Sequence, residues 1–252
     1  YIGNGSVSPM SFAPDIVGVT SQALPPALTR ARGGAFYLHG EDLFLKEAAV
    51  KALIAAHIDE ATRDFNLDSL RGTDVDAETL ASILATPPMM AEWRVVVLRE
   101  TEGLASSKHA RDTLQAIAKS PPPGLALIMS CTVPQGSKAK FYSELAKASQ
   151  SVEFAAFTEA DVPGWIMERA RTVHSVEFSV DAAQALGAAI GTDLGVLAKE
   201  LEKLSEFVGE RATVTVADVE AAGTHLPTQD RWRWFDLVGD RRFSDAIDGL
   251  HV

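Results

Sequence analysis

Residues 40–47, Gly-Glu-Asp-Leu-Phe-Leu-Lys-Glu, are the first place in this chain where residue types and spacing could do chemistry. A glycine turn between an apolar run and a helix is where a phosphate-binding loop sits, with backbone N–H groups and the positive end of the helix facing the anion. The pattern required is glycine, four residues, then Gly-Lys-Ser or Gly-Lys-Thr. Gly40 and Lys46 stand in register. The second glycine is replaced by Leu45, which bars the close left-handed approach of backbone to phosphate. The hydroxyl that would hold magnesium is replaced by Glu47, and Glu41 and Asp42 place negative charge where the phosphates would lie. The plainer alternative is that Gly40 is a turn glycine and Lys46 a solvated helix residue. A nucleotide hydrolase also needs an apolar strand that ends in an acidic metal ligand. Here Val95-Val96-Val97-Leu98 runs into Arg99-Glu100, so arginine holds the metal-binding position. Ser130-Cys131-Thr132 ends another apolar strand where active nucleotide hydrolases sense the nucleotide, though it is also an ordinary strand end, and no Ser-Arg-Cys arginine-finger motif is present. The residues describe a nucleotide-binding architecture whose chemistry has lapsed, and no cofactor is expected.

The elements around these residues alternate. Ala35–Leu38 reads as a buried strand, and Asp42 is a good N-cap for a helix with Leu45, Ala48, Ala49, Ala52, Leu53 and Ala56 on one face. Phe65-Asn66-Leu67 reads as a second strand. A helix over 76–85 is stopped by Pro87-Pro88. Arg94–Leu98 and Leu125–Met129 are uninterrupted apolar strands, as strands covered on both faces should be. Helices over 106–119 and 138–149 and a strand over 151–154 complete an α/β unit with a parallel sheet. From residue 158 the pattern becomes helical only: 159–173, 180–190, a clear amphipathic stretch carrying Leu194, Leu197, Leu201, Leu204 and Val208, and a short helix near Val216. The expected organisation is a flexible segment 1–34, the α/β domain 35–157, a helical domain 158–224, and the opening of a further helical domain at 225–252. That last stretch ends before it could bury its apolar face. Met10 is a candidate natural start within the Gly-, Pro- and Ser-rich N-terminal stretch.

Composition narrows the function classes. The 252 residues carry 23 basic and 34 acidic side chains, a net charge of −11, which argues against a chain whose main task is coating phosphates. Hydrophobic residues at 46% and charged residues at 23% exclude a disordered or fibrous protein. The single cysteine, Cys131, rules out an internal disulfide and points to a reducing compartment. The six histidines, at 39, 57, 109, 174, 225 and 251, fall at no metal-ligand spacing, so no zinc site is expected. No apolar run reaches the length of a membrane span, and the reading is of a cytoplasmic protein.

The chain resembles a known family, the delta subunit of the bacterial DNA polymerase III clamp loader. The resemblance rests on FYLHGEDLFLKEA, LASILATPPMMAEWRVVVLRE, ALIMSCTVPQGSKAKFYSEL, DVPGWIMERA and GTDLGVLAKELEKLSEFVGERATVTVADVEAA, in family order from about residue 35 onward. It implies an inactive AAA+-like α/β domain, a small all-α lid-like bundle and a C-terminal helical collar, of which 225–252 would be only the start. It also implies a subunit without ATPase activity of its own. Such a subunit binds and opens the ring-shaped sliding clamp (beta) within the polymerase III holoenzyme. Its partners would be delta-prime, the gamma/tau ATPase subunits and primer-template DNA.

The family's clamp-contacting element is an exposed apolar pair ahead of the third strand. In this chain that register falls on Met89-Met90, where the family often has Leu-Phe, with Pro87-Pro88 before it. Thr86, Pro88, Ala91 and Trp93 are expected around the pair, Trp93 either at the rim or packed inward. Prolines stiffen the approach, and methionine moulds readily into apolar pockets. The alternative is that both methionines fold back into the core. Lys108, Arg111, Lys138 and Lys140 are candidates for a subunit or DNA contact, against the simpler reading of a solvated helix face. His39 reads as structural, and Trp232 and Trp234 as collar residues. Two other functions remain open at this point: an ATPase with a degenerate phosphate loop, and an AAA+-like adaptor in another DNA-repair assembly.

Overall fold

The computed structural model describes residues 32–222 apart from Gln135. The segment before residue 32 and the tail from residue 223, including Met10, Trp232, Trp234 and the expected start of a collar, lie outside the described residues. The chain divides after Ala155 into two compact units.

In the first unit the elements run β1 (Gly34–Gly40), α1 (Leu43–His57), α2 (Arg63–Asn66), β2 (Leu67–Arg71), α3 (Ala77–Ala85), β3 (Arg94–Arg99), α4 (Lys108–Lys119), β4 (Leu125–Cys131), α5 (Lys140–Ala148) and β5 (Gln150–Phe154). The five strands form one parallel sheet in the order β2-β3-β4-β1-β5. Helices connect successive strands, as parallel pairing requires. Every residue of β4 is buried. Val95, Val96, Val97 and Leu98 of β3 are no more than 1% exposed, which is why both strands read as unbroken apolar runs. One core packs Tyr37, Val96, Leu98, Leu127 and Met129 from the sheet against Leu80, Leu84, Leu114 and Leu145 from the helices.

Two boundaries differ from the sequence reading. Phe65-Asn66 is not strand: α2 is a single helical turn through Asn66, and β2 begins at Leu67. Thr101–Ser106 coils as a 3₁₀ segment before α4, whose N-cap Ser107 accepts from the Ala110 amide.

The second unit contains α6 (Val162–Arg169), α7 (Val180–Ile190), α8 (Leu194–Val208) and α9 (Val216–Ala221). The expected helix 159–173 is shorter, giving way at Ala170 to a π turn that ends at His174. The unit is not purely helical either, because Glu177–Phe178 (β6) and Thr213–Val214 (β7) pair as a short parallel ladder. The leucines of α8 are all buried. Ser179 and Asp193 cap α7 and α8, and Thr215 with Asp218 forms a capping box at α9. Those hydrogen bonds, together with Arg211, hold the Asp218 carboxyl down to about 2.

Candidate functional site

The turn after β1 has the outline of a phosphate loop and none of its vacancies. Gly40 takes φ +120°, and a Cβ there would stand 2.1 Å from the Phe154 carbonyl oxygen. That same oxygen accepts the Glu41 and Asp42 amides at 2.9 and 3.2 Å. The Asp42 side chain caps α1 by accepting the Leu45 amide at 2.8 Å. The amides of Glu41, Asp42 and Leu45 are therefore committed to the end of β5 and to the helix cap.

Lys46 is not a solvated helix residue, as its charge suggested. It is 1% exposed. Its Nζ donates to the carbonyls of Gly40 (2.7 Å) and Cys131 (3.1 Å) and to Thr132 Oγ1 (2.9 Å). An ammonium has three N–H bonds, so this one is fully used. Burial pushes its pKa down, opposed by the carboxylates of Glu102, Asp42 and Glu47. The lysine ties the end of β1 to the end of β4, with the Thr132 amide held in turn by Glu102 Oε2 at 3.1 Å. Burial pushes the neighbouring Cys131 thiol up to about 12, so it is no nucleophile at neutral pH.

The two departures from the hydrolase pattern are joined. Arg99 donates from Nε and Nη2 to the two oxygens of Glu47, each at 2.9 Å, and from Nη1 to Ser69 Oγ at 2.8 Å. A glutamate in the hydroxyl position and an arginine in the acid position thus form a bidentate pair between α1 and β3, spanning the interval a metal ion would bridge in a hydrolase. The pair lowers the Glu47 pKa and raises that of Arg99. Nothing in the sequence reading linked these residues, which lie far apart in the chain and meet because β1 and β3 flank β4.

The loop between α3 and β3 has the opposite character. Thr86 and Pro87 are exposed, Pro88 half-buried, and Met89 and Met90 are 53% and 88% exposed. The methionines do not fold into the core. Their backbone is nonetheless fixed. The Thr86 hydroxyl donates to Ser82 O at the end of α3, and the Pro88 ring lies where a Cβ on Gly124 would be, 2.9 Å away. Asn66 is fully buried and grips Met89 from both sides: Met89 N–H donates to Oδ1 at 2.7 Å, and Nδ2 donates to Met89 O at 2.9 Å. Met90 adopts φ +54°, the left-handed region that non-glycine residues seldom enter. Phe65, next to Asn66, is 59% exposed, and its carbonyl is held by Arg94 Nη1 at 2.8 Å. Trp93 turns inward, its ring against Gly33 and edge-on to His57 with centroids 5.7 Å apart. Asn66 and Phe65 were missed because the apolar-polar-apolar triplet reads as strand. An asparagine between two apolar residues was the available sign of a turn.

The remaining candidates do not form a site. Lys108, Lys138 and Lys140 are exposed, and Arg111 is partly buried with its guanidinium against Ala105 O. His39 stacks on Tyr37 and shares a 3.1 Å hydrogen bond with Ser151 Oγ. Among the described residues no three His, Cys, Asp or Glu side chains cluster as a metal site would require, and no helix is long and apolar enough to cross a membrane.

Residues 36–155 match the family model "DNA polymerase III, delta subunit". DNA polymerase III subunit delta of Bacillus subtilis (strain 168) is 21% identical over 222 residues, covering 84% of this chain and 63% of that protein, so the chain spans under two thirds of the relative's length. The solved Bacillus subtilis DNA clamp loader delta protein (YqeN) superposes with a TM-score of 0.65 at 19% identity, over 86% of this chain and 66% of that one. The Thermotoga maritima RuvB Holliday junction branch migration motor superposes at 0.51 with 15% identity, covering 92% of this chain and 79% of its own. The fold is therefore AAA+-like, shared with a motor protein as well as with a clamp loader subunit. Over residues 36–155, nearly the whole described part of its first unit, the chain is similar to the DNA polymerase III delta-subunit family.

Proposed function

We propose that this chain is the non-catalytic, clamp-binding subunit of a bacterial clamp loader, and that Met89 and Met90 are its contact with the ring-shaped sliding clamp. The observation that carries the reading is the pairing of high side-chain exposure with a fixed backbone at residues 89 and 90. A soluble domain gains nothing from displaying two methionines on a stiffened loop, whereas an apolar pocket on a partner does. Burying both contributes up to about 3–6 kcal/mol, reduced by the ordering cost of association. The loop pays little of that cost at binding, because Asn66 and Pro88 already hold it.

Around this contact the chain works in the cytoplasm beside delta-prime, the gamma/tau ATPase subunits and primer-template DNA. It supplies no nucleotide chemistry itself. The occupied Lys46 ammonium and the Glu47–Arg99 pair support that part of the reading against a degenerate ATPase. Calorimetric titration of the chain into the sliding clamp encoded by the same genome tests the proposal. Saturable binding at micromolar concentration or tighter, lost in Met89→Ala/Met90→Ala, is expected. Failure of the folded wild-type chain to bind would end it, and undiminished binding by the double variant would move the contact elsewhere.

A further inference from the structure

We infer that Asn66 is the positioning residue of the methionine loop, and that it sets the affinity for an apolar partner pocket without touching that partner. The inference rests on the docking role proposed for Met89 and Met90. Asn66 is completely buried, and its amide is spent on fixed acceptors and donors: Met89 N–H to Oδ1, Nδ2 to Met89 O, and Nδ2 to Thr62 O at 3.1 Å. A side-chain amide that pairs both backbone groups of a single residue acts as a one-residue strand partner. It fixes the peptide planes on either side of Met89 and does nothing for the side chain.

The consequence falls on Met90. With φ +54° it sits in a region that costs an ordinary residue free energy, so a free loop would leave it. No ladder holds the segment, since β3 begins only at Arg94. The Asn66 grip, with Pro88 against Gly124 behind it, is what keeps the strained conformer populated and Met90 outward. Release of the grip lets the loop sample other conformers, and apparent affinity falls by the fraction of molecules still competent.

The test is a set of calorimetric titrations into the sliding clamp, with amide hydrogen exchange on the same chains. Asn66→Ala is expected to weaken binding about 10-fold or more, and to accelerate exchange at the Met89 amide while the β4 amides keep their protection. Asn66→Asp, which keeps the acceptor for Met89 N–H but opposes oxygen to the Met89 and Thr62 carbonyls, should weaken binding similarly and serves if the alanine variant folds poorly. In the Met90→Ala background, Asn66→Ala should cost clearly less than in wild type, because a general structural loss would cost the same in both. Wild-type affinity in a folded Asn66→Ala chain, unchanged exchange at Met89, or full additivity with Met90→Ala would each overturn the inference. If Met90→Ala itself binds as well as wild type, the docking role fails first, and the positioning role fails with it.

Discussion

Two loops of the first unit, the one after β1 and the one before β3, handle polar and apolar groups in opposite ways. After β1, the position that should stay open for a ligand is filled from within. Amides go to Phe154 O, the lysine goes to two carbonyls and a hydroxyl, and an ion pair spans the metal position. Before β3, apolar side chains that should be buried are held out on a backbone that is itself satisfied. Buried polar groups must find partners, so a binding loop that loses its ligand survives only by making internal replacements. Exposed apolar groups face no such demand, and they persist when an external partner covers them. The first loop is satisfied from within, and the second displays the apolar pair on which the proposed clamp contact rests.

Substitutions sharpen that contrast, because the first loop should answer in stability and the second in binding. Gly40→Ala meets both a positive φ and the Phe154 carbonyl, and should cost about 3 kcal/mol in chemical denaturation. Lys46→Ala leaves three acceptors without their donor and opens a cavity, and should cost about 2–4 kcal/mol. In a working phosphate loop that change removes the ligand instead, so a stable Lys46→Ala chain would break the comparison.

Met89→Ala/Met90→Ala should reverse the pattern. Clamp affinity is expected to fall about 100-fold, equivalent to about 2.7 kcal/mol, while the unfolding free energy changes by under about 0.5 kcal/mol. A large loss of stability would mean the pair is core after all.

The smallest effect belongs to the Glu47–Arg99 pair, whose side chains are 42% and 32% exposed. Screening by solvent holds its worth to about 0.5–1 kcal/mol. The sign with pH follows from the lowered Glu47 pKa. The contribution is present above the ordinary value of 4.5 and is lost as pH falls through the folded value, because the unfolded chain then binds the proton more readily. Glu47→Gln should therefore be less stable than wild type at pH 7, with the gap closing toward pH 3 in parallel denaturation series.

What the sequence made legible divides along physical lines. Strands β3 and β4 announce themselves because burial on both faces leaves the unbroken apolar runs Val95–Leu98 and Leu125–Met129 at their centres. Asp42 was readable as a cap, since capping is local. The defects of the phosphate loop were readable too, because a missing glycine or hydroxyl is a matter of identity. The repairs were not. Lys46 looked solvated, and Arg99 looked like mere absence of an acid, until strand order brought β1, β3 and β4 side by side. Exposure of the methionines came from a resemblance and not from periodicity, as Pro-Pro-Met-Met carries none. Asn66 was hidden for a similar reason to Lys46: the residue it grips, Met89, lies 23 residues away in the chain.

The most direct single measurement is a calorimetric titration of the wild-type chain into the sliding clamp, run with and without magnesium ATP. Both loops are tested at once. Superimposable isotherms at micromolar affinity or tighter are expected, since the contact is permanently displayed and the phosphate loop is filled. Clamp binding that appears only with magnesium ATP would contradict the division of roles between the two loops.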